Sequence, residues 1–108
     1  MADTYKVLGQ SRPAANALTD LYTVGAATQT SVSSLVVCNQ GVQTTFRISV
    51  AVAGVVDGLM QYQAYDVFLF DNEIKTLTLG ITLGATDKIR CSSVSGSVSF
   101  SAFGVEIT

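Results

Sequence analysis

The sequence predicts an all-β domain, an antiparallel β-sandwich or jelly roll of about eight strands, and three observations carry that prediction. Between Thr45 and Val52, apolar Phe46, Ile48, Val50 and Val52 alternate with Thr45, Arg47, Ser49 and Ala51. Period-two alternation of this kind belongs to a strand with one buried and one wetter face. Turn residues punctuate the chain roughly every eight to twelve residues, as they do in sandwiches and barrels. No run of ten residues shows the 3.6-residue apolar spacing of a helix, so nothing is available as a crossover between parallel strands.

The elements follow in order. A first strand runs from Thr4 to Leu8 and is closed by Gly9; a small-residue segment through Pro13 and Asn16 follows it. Residues 1–16 are less regular than the rest, and one reading makes them an extended N-terminal arm on a single domain of 108 residues. The second strand spans Leu18 to Val24, with Leu18, Asp20, Tyr22 and Val24 on one side; Gly25-Ala26-Ala27 breaks it. The third runs from Thr30 to Asn39 and turns at Asn39-Gln40-Gly41. The fourth is the alternating stretch, ended by Gly54 and a loop through Asp57-Gly58.

The fifth run, Met60 to Phe70, is long and aromatic. A sixth spans Ile74 to Leu83, with Leu77, Leu79, Ile81 and Leu83 on one face and Gly80 marking a bulge or close packing. After the turn Gly84 to Asp87, the seventh is Lys88 to Ser93. The eighth is Ser97 to Ile107. Val98, Phe100 and Ala102 define one face, and Phe103, Val105 and Ile107 then define the other. Such a reversal of phase calls for a bulge near Ala102 to Gly104.

A chain of this length buries roughly 65% of its unfolded surface, enough for one core. Apolar residues make up 48% and charged residues 13%, against about 25% charged in an average domain. So few charges suit either assembly into something larger or a Ser/Thr surface that is polar without charge. The net charge is −2 and the six cations, Lys6, Arg12, Arg47, Lys75, Lys88 and Arg90, are scattered. Lys88 and Arg90 share a strand face, but two charges are no phosphate-binding patch, which argues against a nucleic-acid partner. The N-terminus lacks a basic and an apolar region, so no signal peptide is expected, and apolar windows such as Ile48 to Val56 fall far short of a membrane span.

Chemistry is hard to place on this sequence. Histidine is absent, which removes the commonest general base and metal ligand. Ser-His-Asp and Cys-His arrangements cannot be built. Cys38 and Cys91 are too few for a zinc site and are expected as buried, reduced thiols. Asp71-Asn72-Glu73 reads as a turn and is too short for a calcium loop. Leu79-Gly80-Ile81-Thr82-Leu83-Gly84 has no lysine and no following helix, so it is not a phosphate loop. No catalytic residue, cofactor or metal ligand is expected, and the chain reads as a structural or binding protein rather than an enzyme.

Aromatic residues are the remaining candidates. In the fifth run, Tyr62, Phe68 and Phe70 fall on one face and Tyr65, Val67 and Leu69 on the other. Apolar residues on both faces mean burial on both sides, in a central sandwich strand or under a partner. Core packing is the favoured reading of the fifth run, and Tyr5, Tyr62, Tyr65, Phe68 and Phe70 are the candidates should it carry an interface instead.

Four stretches carry a resemblance: Leu18-Thr19-Asp20-Leu21-Tyr22-Thr23-Val24, Val36-Val37-Cys38-Asn39, Leu77 through Leu83, and the ending Ser99 through Thr108. From Lys6-Val7-Leu8-Gly9-Gln10 onward the chain resembles small virion structural proteins of tailed phages, including cyanophages. Within that group a capsid decoration, or cement, protein is favoured. The resemblance implies a β-sandwich that binds the outer capsid lattice and bridges neighbouring major capsid proteins. It also implies a homo-oligomer, with a trimer around a local threefold expected, located in the virion after synthesis in the host cytoplasm. It transfers no catalytic residue. A tail or baseplate component is the alternative, and a carbohydrate-binding module on a jelly-roll scaffold is a third reading, weakened by the absence of Trp.

Overall fold

The computed structural model describes residues 2–108 and contains nine strands. They are β1 (Asp3–Ser11), β2 (Thr19–Thr23), β3 (Gln29–Asn39), β4 (Thr44–Ala51), β5 (Tyr62–Leu69), β6 (Ile74–Leu77), β7 (Thr82–Leu83), β8 (Lys88–Ser93) and β9 (Val98–Ile107). Two short 3-10 turns, Val52–Gly54 and Leu59–Gln61, interrupt the loop between β4 and β5. All strand pairs are antiparallel, and they form two sheets. Sheet A has the order β1-β9-β3-β6, with β7 also on β3; sheet B has the order β2-β8-β4-β5.

This order has a simple origin. β1 pairs with β9, β2 with β8, β3 with β6 and β7, and β4 with β5, so the chain folds back on itself like one long hairpin. Rolling that ribbon brings β3 against β9 and β4 against β8. The result is a jelly roll, the two-sheet solution for a chain of short antiparallel strands.

Between the sheets lies a dry interior. Leu35, Val37, Val98 and Phe100 from sheet A face Phe46, Ile48, Leu69 and Ile89 from sheet B, all essentially inaccessible to water. Phe46 and Phe100 meet edge to face with centroids 6.0 Å apart, a favourable aromatic geometry that bridges the two layers.

Several expectations from the sequence need correction. Residues 3–11, read as part of an arm, form an edge strand paired with β9 from Asp3↔Ile107 to Ser11↔Phe100; Met1 lies outside the described residues. Gly9 does not end that strand. It sits just past a bulge, where a Cβ would lie 2.0 Å from the Leu21 carbonyl oxygen, so its lack of a side chain lets β1 approach β2. In β2 a register shift between Asp20 and Tyr22 buries both Leu21 and Tyr22.

The bulge expected in the last strand is not there. The register shifts lie in its neighbours, between Val7 and Gly9 in β1 and between Val32 and Ser34 in β3. β9 itself runs through without reversing, so Val98, Phe100, Ala102, Gly104 and Glu106 all point inward while Phe103, Val105 and Ile107 point out of the sandwich. The interior at this end is closed by polar groups. The Tyr22 hydroxyl donates to Glu106 Oε2 at 2.5 Å and lies 2.8 Å from Thr30 Oγ1; Lys6 Nζ sits 3.4 Å from Glu106 Oε1.

The sixth run is two strands, not one. Gly80, at φ +68°, breaks it with no neighbouring atom within 4 Å of where a Cβ would stand, and Leu79 turns to solvent while Ile81 and Leu83 stay buried. β4 keeps Phe46 and Ile48 inside, but Ser49 and Ala51 on its other face are out of water too, Ser49 beneath Asp57 of the following loop, and Val52 is exposed rather than on the core face. Cys91 is buried in the interior. Cys38, expected to be buried, is half exposed on the outside of sheet A; both thiols are free.

Candidate functional site

Two features stand out on the exterior of sheet B. The first is the loop from Val52 to Gln61, folded over the outward face of β4 and β8. It is fixed by side chains that the strands present. The Asp57 carboxylate accepts from Ser49 Oγ at 2.5 Å and from Arg90 Nη1 at 2.7 Å. Arg90 also donates to the Val55 and Gly54 carbonyls at 2.7 and 2.9 Å. The Ala53 N–H donates to Asp87 Oδ1 at 2.9 Å, and the Gly58 N–H to Gln61 Oε1 at 2.7 Å.

The Arg90 and Asp57 side chains are 13% and 3% exposed, so the pair is withdrawn from water. A buried ion pair needs further hydrogen bonds to offset its lost hydration, and the two carbonyls and Ser49 supply them. On its other side Arg90 meets Asp20, which also accepts from Lys88 at 2.8 Å. The Lys88 hydrogen bond holds the Asp20 carboxyl below its usual range, against a smaller opposing effect of burial. The Lys88–Arg90 pair of the sequence is thus matched by Asp20 and Asp57.

Although tied down at its backbone, this loop turns its apolar side chains outward. Val52, Val55, Val56, Leu59 and Met60 are all exposed, with Val56 at 92% and Met60 at 86%. Sequence reasoning missed them because it placed Val52 on the core face and Met60 at the start of the fifth run, and read the residues between as an ordinary connection. The available signal was five large apolar residues gathered around Gly54 and Gly58, too many for a solvated turn. The ionic clasp beneath gave no such signal, because Asp20, Ser49, Asp57 and Arg90 come from four separate segments.

The second feature is the aromatic edge. β5 is an edge strand of sheet B. A register shift opposite Arg47, with Asp66 at φ +52°, turns Ala64, Val67 and Leu69 inward and leaves Tyr65, Phe68 and Phe70 exposed. The core-packing reading of this run is therefore corrected for those three. Tyr62 is half-buried, 5.1 Å from Tyr65 in an edge-to-face pair; Phe68 and Phe70 form another at 4.7 Å. Arg47 joins the tyrosines: its guanidinium carbon lies 4.0 Å from the Tyr65 centroid, and Nε donates to Asp66 Oδ1 at 2.6 Å. That hydrogen bond lowers the Asp66 carboxyl and raises the guanidinium. A polar depression of about 140 Å³ adjoins the pair, lined by Asn16, Thr45, Ser92 and Val94 among others.

Of the five interface candidates, the structure thus brings four together along β5. Tyr5 is 81% exposed but lies on sheet A, apart from the others. Glu73 braces the turn in which it lies, accepting from the Phe70 N–H, and Asp71 ties that turn to the β3–β4 loop, accepting from the Gln43 N–H. Among the described residues no three of Asp, Glu and Cys gather as metal ligands would, and no helix is long and apolar enough to cross a membrane. No protein-family model, no curated protein and no solved structure matches this chain.

Proposed function

We propose that this chain is a structural component of a tailed-phage virion, a capsid decoration protein that binds the outer capsid lattice through the Val52–Gln61 loop and stabilises it. The observation that carries this reading is the loop itself: five exposed apolar side chains on a backbone anchored to a rigid jelly roll by Arg90, Asp57 and Asp87. Preorganised apolar groups bind without the cost of ordering a flexible segment. Repetition on a lattice then turns modest contacts into high avidity. The sequence resemblance supports the choice of partner, the major capsid protein. The absence of histidine, with the Asp20 and Asp57 carboxylates both taken up by Arg90, supports a non-catalytic role. The jelly roll occurs in viral capsid domains as well as in lectins, an analogy of fold and not of site.

Gold-labelled antibody on intact virions tests the assignment. Label on heads is the expected result, with heads lacking the protein rupturing at lower temperature. Label confined to tails would move the protein to the tail or baseplate, and heads of unchanged resistance would remove the stabilising role. A second reading, carbohydrate binding, draws on the exposed Tyr65, Phe68 and Phe70, since sugar rings stack on aromatic faces. Binding on a glycan array that is lost in Tyr65→Ala would favour it over decoration.

A further inference from the structure

The outward face of sheet A is built the wrong way round for a surface that meets water. At the end formed by the first half of β1 and the second half of β9, the outward residues are Tyr5, Val7, Phe103, Val105 and Ile107, while Lys6 and Glu106 lie on the opposite face and pair with each other, Lys6 remaining 45% exposed. The register allows no other assignment, since Tyr5↔Val105 and Val7↔Phe103 share one face and Thr4↔Glu106 and Lys6↔Gly104 the other. A sheet with one solvated face normally alternates apolar inside and polar outside.

The same face continues to the other end of the sheet through uncharged residues. Gln10 donates to Ser101, and Val36, Cys38, Ile74 and Thr76 complete it on β3 and β6. Charges occur only at its extremes. Asp3 opens β1 opposite Ile107, and Arg12, just past β1, hydrogen-bonds Gln40, which in turn bonds Ser99.

We infer that this face is the contact between two copies of the chain, packed sheet to sheet about a two-fold axis lying between them and perpendicular to the strands. Such an axis reverses the strand direction, so Asp3 of one copy meets Arg12 of the other at both ends while the uncharged centre is self-covering. A two-fold axis along the strands would instead carry β1, an edge strand, over the β6 edge of the other copy, leaving Asp3 and Arg12 without each other. A closed isologous contact needs a self-complementary patch of this kind. Two sheets pack face to face about 10 Å apart. The two longer extents of the molecule, 44 and 27 Å, outline a face large enough for the roughly 800 Å² per partner of a standard interface. A lipid surface is a poorer occupant, because the face offers no cluster of cations to anionic headgroups.

The inference stands apart from the virion assignment, because the purified chain tests it with no phage present. Sedimentation equilibrium of the wild type is expected to give twice the 11.3 kDa chain mass. Val105→Arg, a change at an outward position, is expected to give a monomer with an unchanged far-ultraviolet spectrum. Asp3→Arg alone and Arg12→Asp alone should each weaken the dimer at least about tenfold at low salt. The double variant Asp3→Arg with Arg12→Asp should recover it, which only the strand-reversing axis predicts. In the wild type, alkylation of Cys38 should slow as protein concentration rises. A monomer at all concentrations, a mass of three chains, or a double variant no tighter than the singles would each overturn the proposal. If Val105→Arg fails to fold, the charge exchange and the Cys38 rate still decide. Label on tails rather than heads would leave this dimer untouched.

Discussion

Arg90 Nη1 donates to Asp57 Oδ1 across 2.7 Å, joining a strand of the sandwich to the loop that covers it, with both side chains nearly excluded from water. Removing one partner of such a pair strands the other charge and commonly costs about 3–5 kcal/mol. Asp57→Ala also frees Ser49, which has no access to water. Asp57→Ala and Arg90→Leu are each expected to lower the unfolding free energy measured in urea by that order, with the far-ultraviolet spectrum of the remaining fold intact. Because they break the same contact, the double variant should cost clearly less than the sum. Additive losses would show that the pair does not hold the loop.

The side chains above this clasp should behave in the opposite way. Val56 and Met60 touch water rather than the core, so Val56→Ser and Met60→Ser are expected to change stability by no more than about 0.5 kcal/mol. If the loop is the docking surface, the same variants should weaken binding to isolated phage heads by about tenfold or more, since truncation of central apolar anchors typically costs over 1 kcal/mol. Co-sedimentation with heads lacking the protein measures this. Loss of stability without loss of binding would place the docking surface elsewhere.

Gly104 and Gly80 look alike in the sequence and should respond differently. A Cβ on Gly104 would lie 2.2 Å from the Ser31 carbonyl oxygen and 3.0 Å from the Val32 Cα, both backbone atoms of the adjacent strand. Gly104→Ala therefore forces β9 and β3 apart beside the bulge and is expected to cost over about 3 kcal/mol. At Gly80 nothing crowds the added atom, and only the left-handed backbone resists it. Gly80→Ala should cost about 1–2 kcal/mol. Denaturant curves of the two variants should rank in that order.

The contrast shows what the sequence could reveal. Val98, Phe100 and Ala102 were readable as a core face because β9 keeps its phase, and Lys88–Ser93 was readable to the residue because no bulge disturbs it. Bulges account for most of the misreadings. In β5 the shift occurs at Asp66, which enters the left-handed region without a glycine to signal it, so Tyr65 and Val67 were placed on one face when they occupy opposite ones. In β9 the apolar switch from Ala102 to Phe103 was visible, but a sequence cannot tell a strand that flips from a strand with two apolar faces. Of the candidate site, the aromatic residues were legible by composition. The loop above Arg90 was not, because its exposure depends on contacts between residues 33 to 36 positions apart.

Acid should weaken the fold through carboxylates that the native state holds ionised. Hydrogen bonds from Lys88 to Asp20 and from Tyr22 to Glu106 lower both groups. Groups lowered on folding contribute stability above their ordinary values of 3.8 and 4.5 and lose it as pH falls through the folded values. Thermal midpoints should therefore be flat between pH 6 and 8 and fall below about pH 4. Asp20→Asn should reduce that acid dependence while lowering the midpoint at neutral pH, since Lys88 loses its charged partner. An acid dependence unchanged in Asp20→Asn would remove Asp20 from this account.

Alkali acts on two buried groups whose neutral forms the fold protects. Burial, helped by the hydrogen bond to Glu106, pushes the Tyr22 hydroxyl up to about 12, and burial in the core, with a smaller contribution from the Asp20 charge, pushes the Cys91 thiol up to about 12. Both values rise on folding, so the unfolded chain gives up these protons first, near 10 for the tyrosine and 9 for the thiol. The stability they contribute is complete below pH 9 and drains away as pH climbs to about 12, by a few kcal/mol in all. Urea midpoints should fall steadily between pH 9 and 11 in the wild type. Cys91→Ala should lower the midpoint at pH 8 by leaving a small cavity, yet make the decline towards pH 11 shallower. Tyr22→Phe should do the same by deleting the hydroxyl. A decline of equal steepness in both variants would mean that neither group controls the alkaline limit.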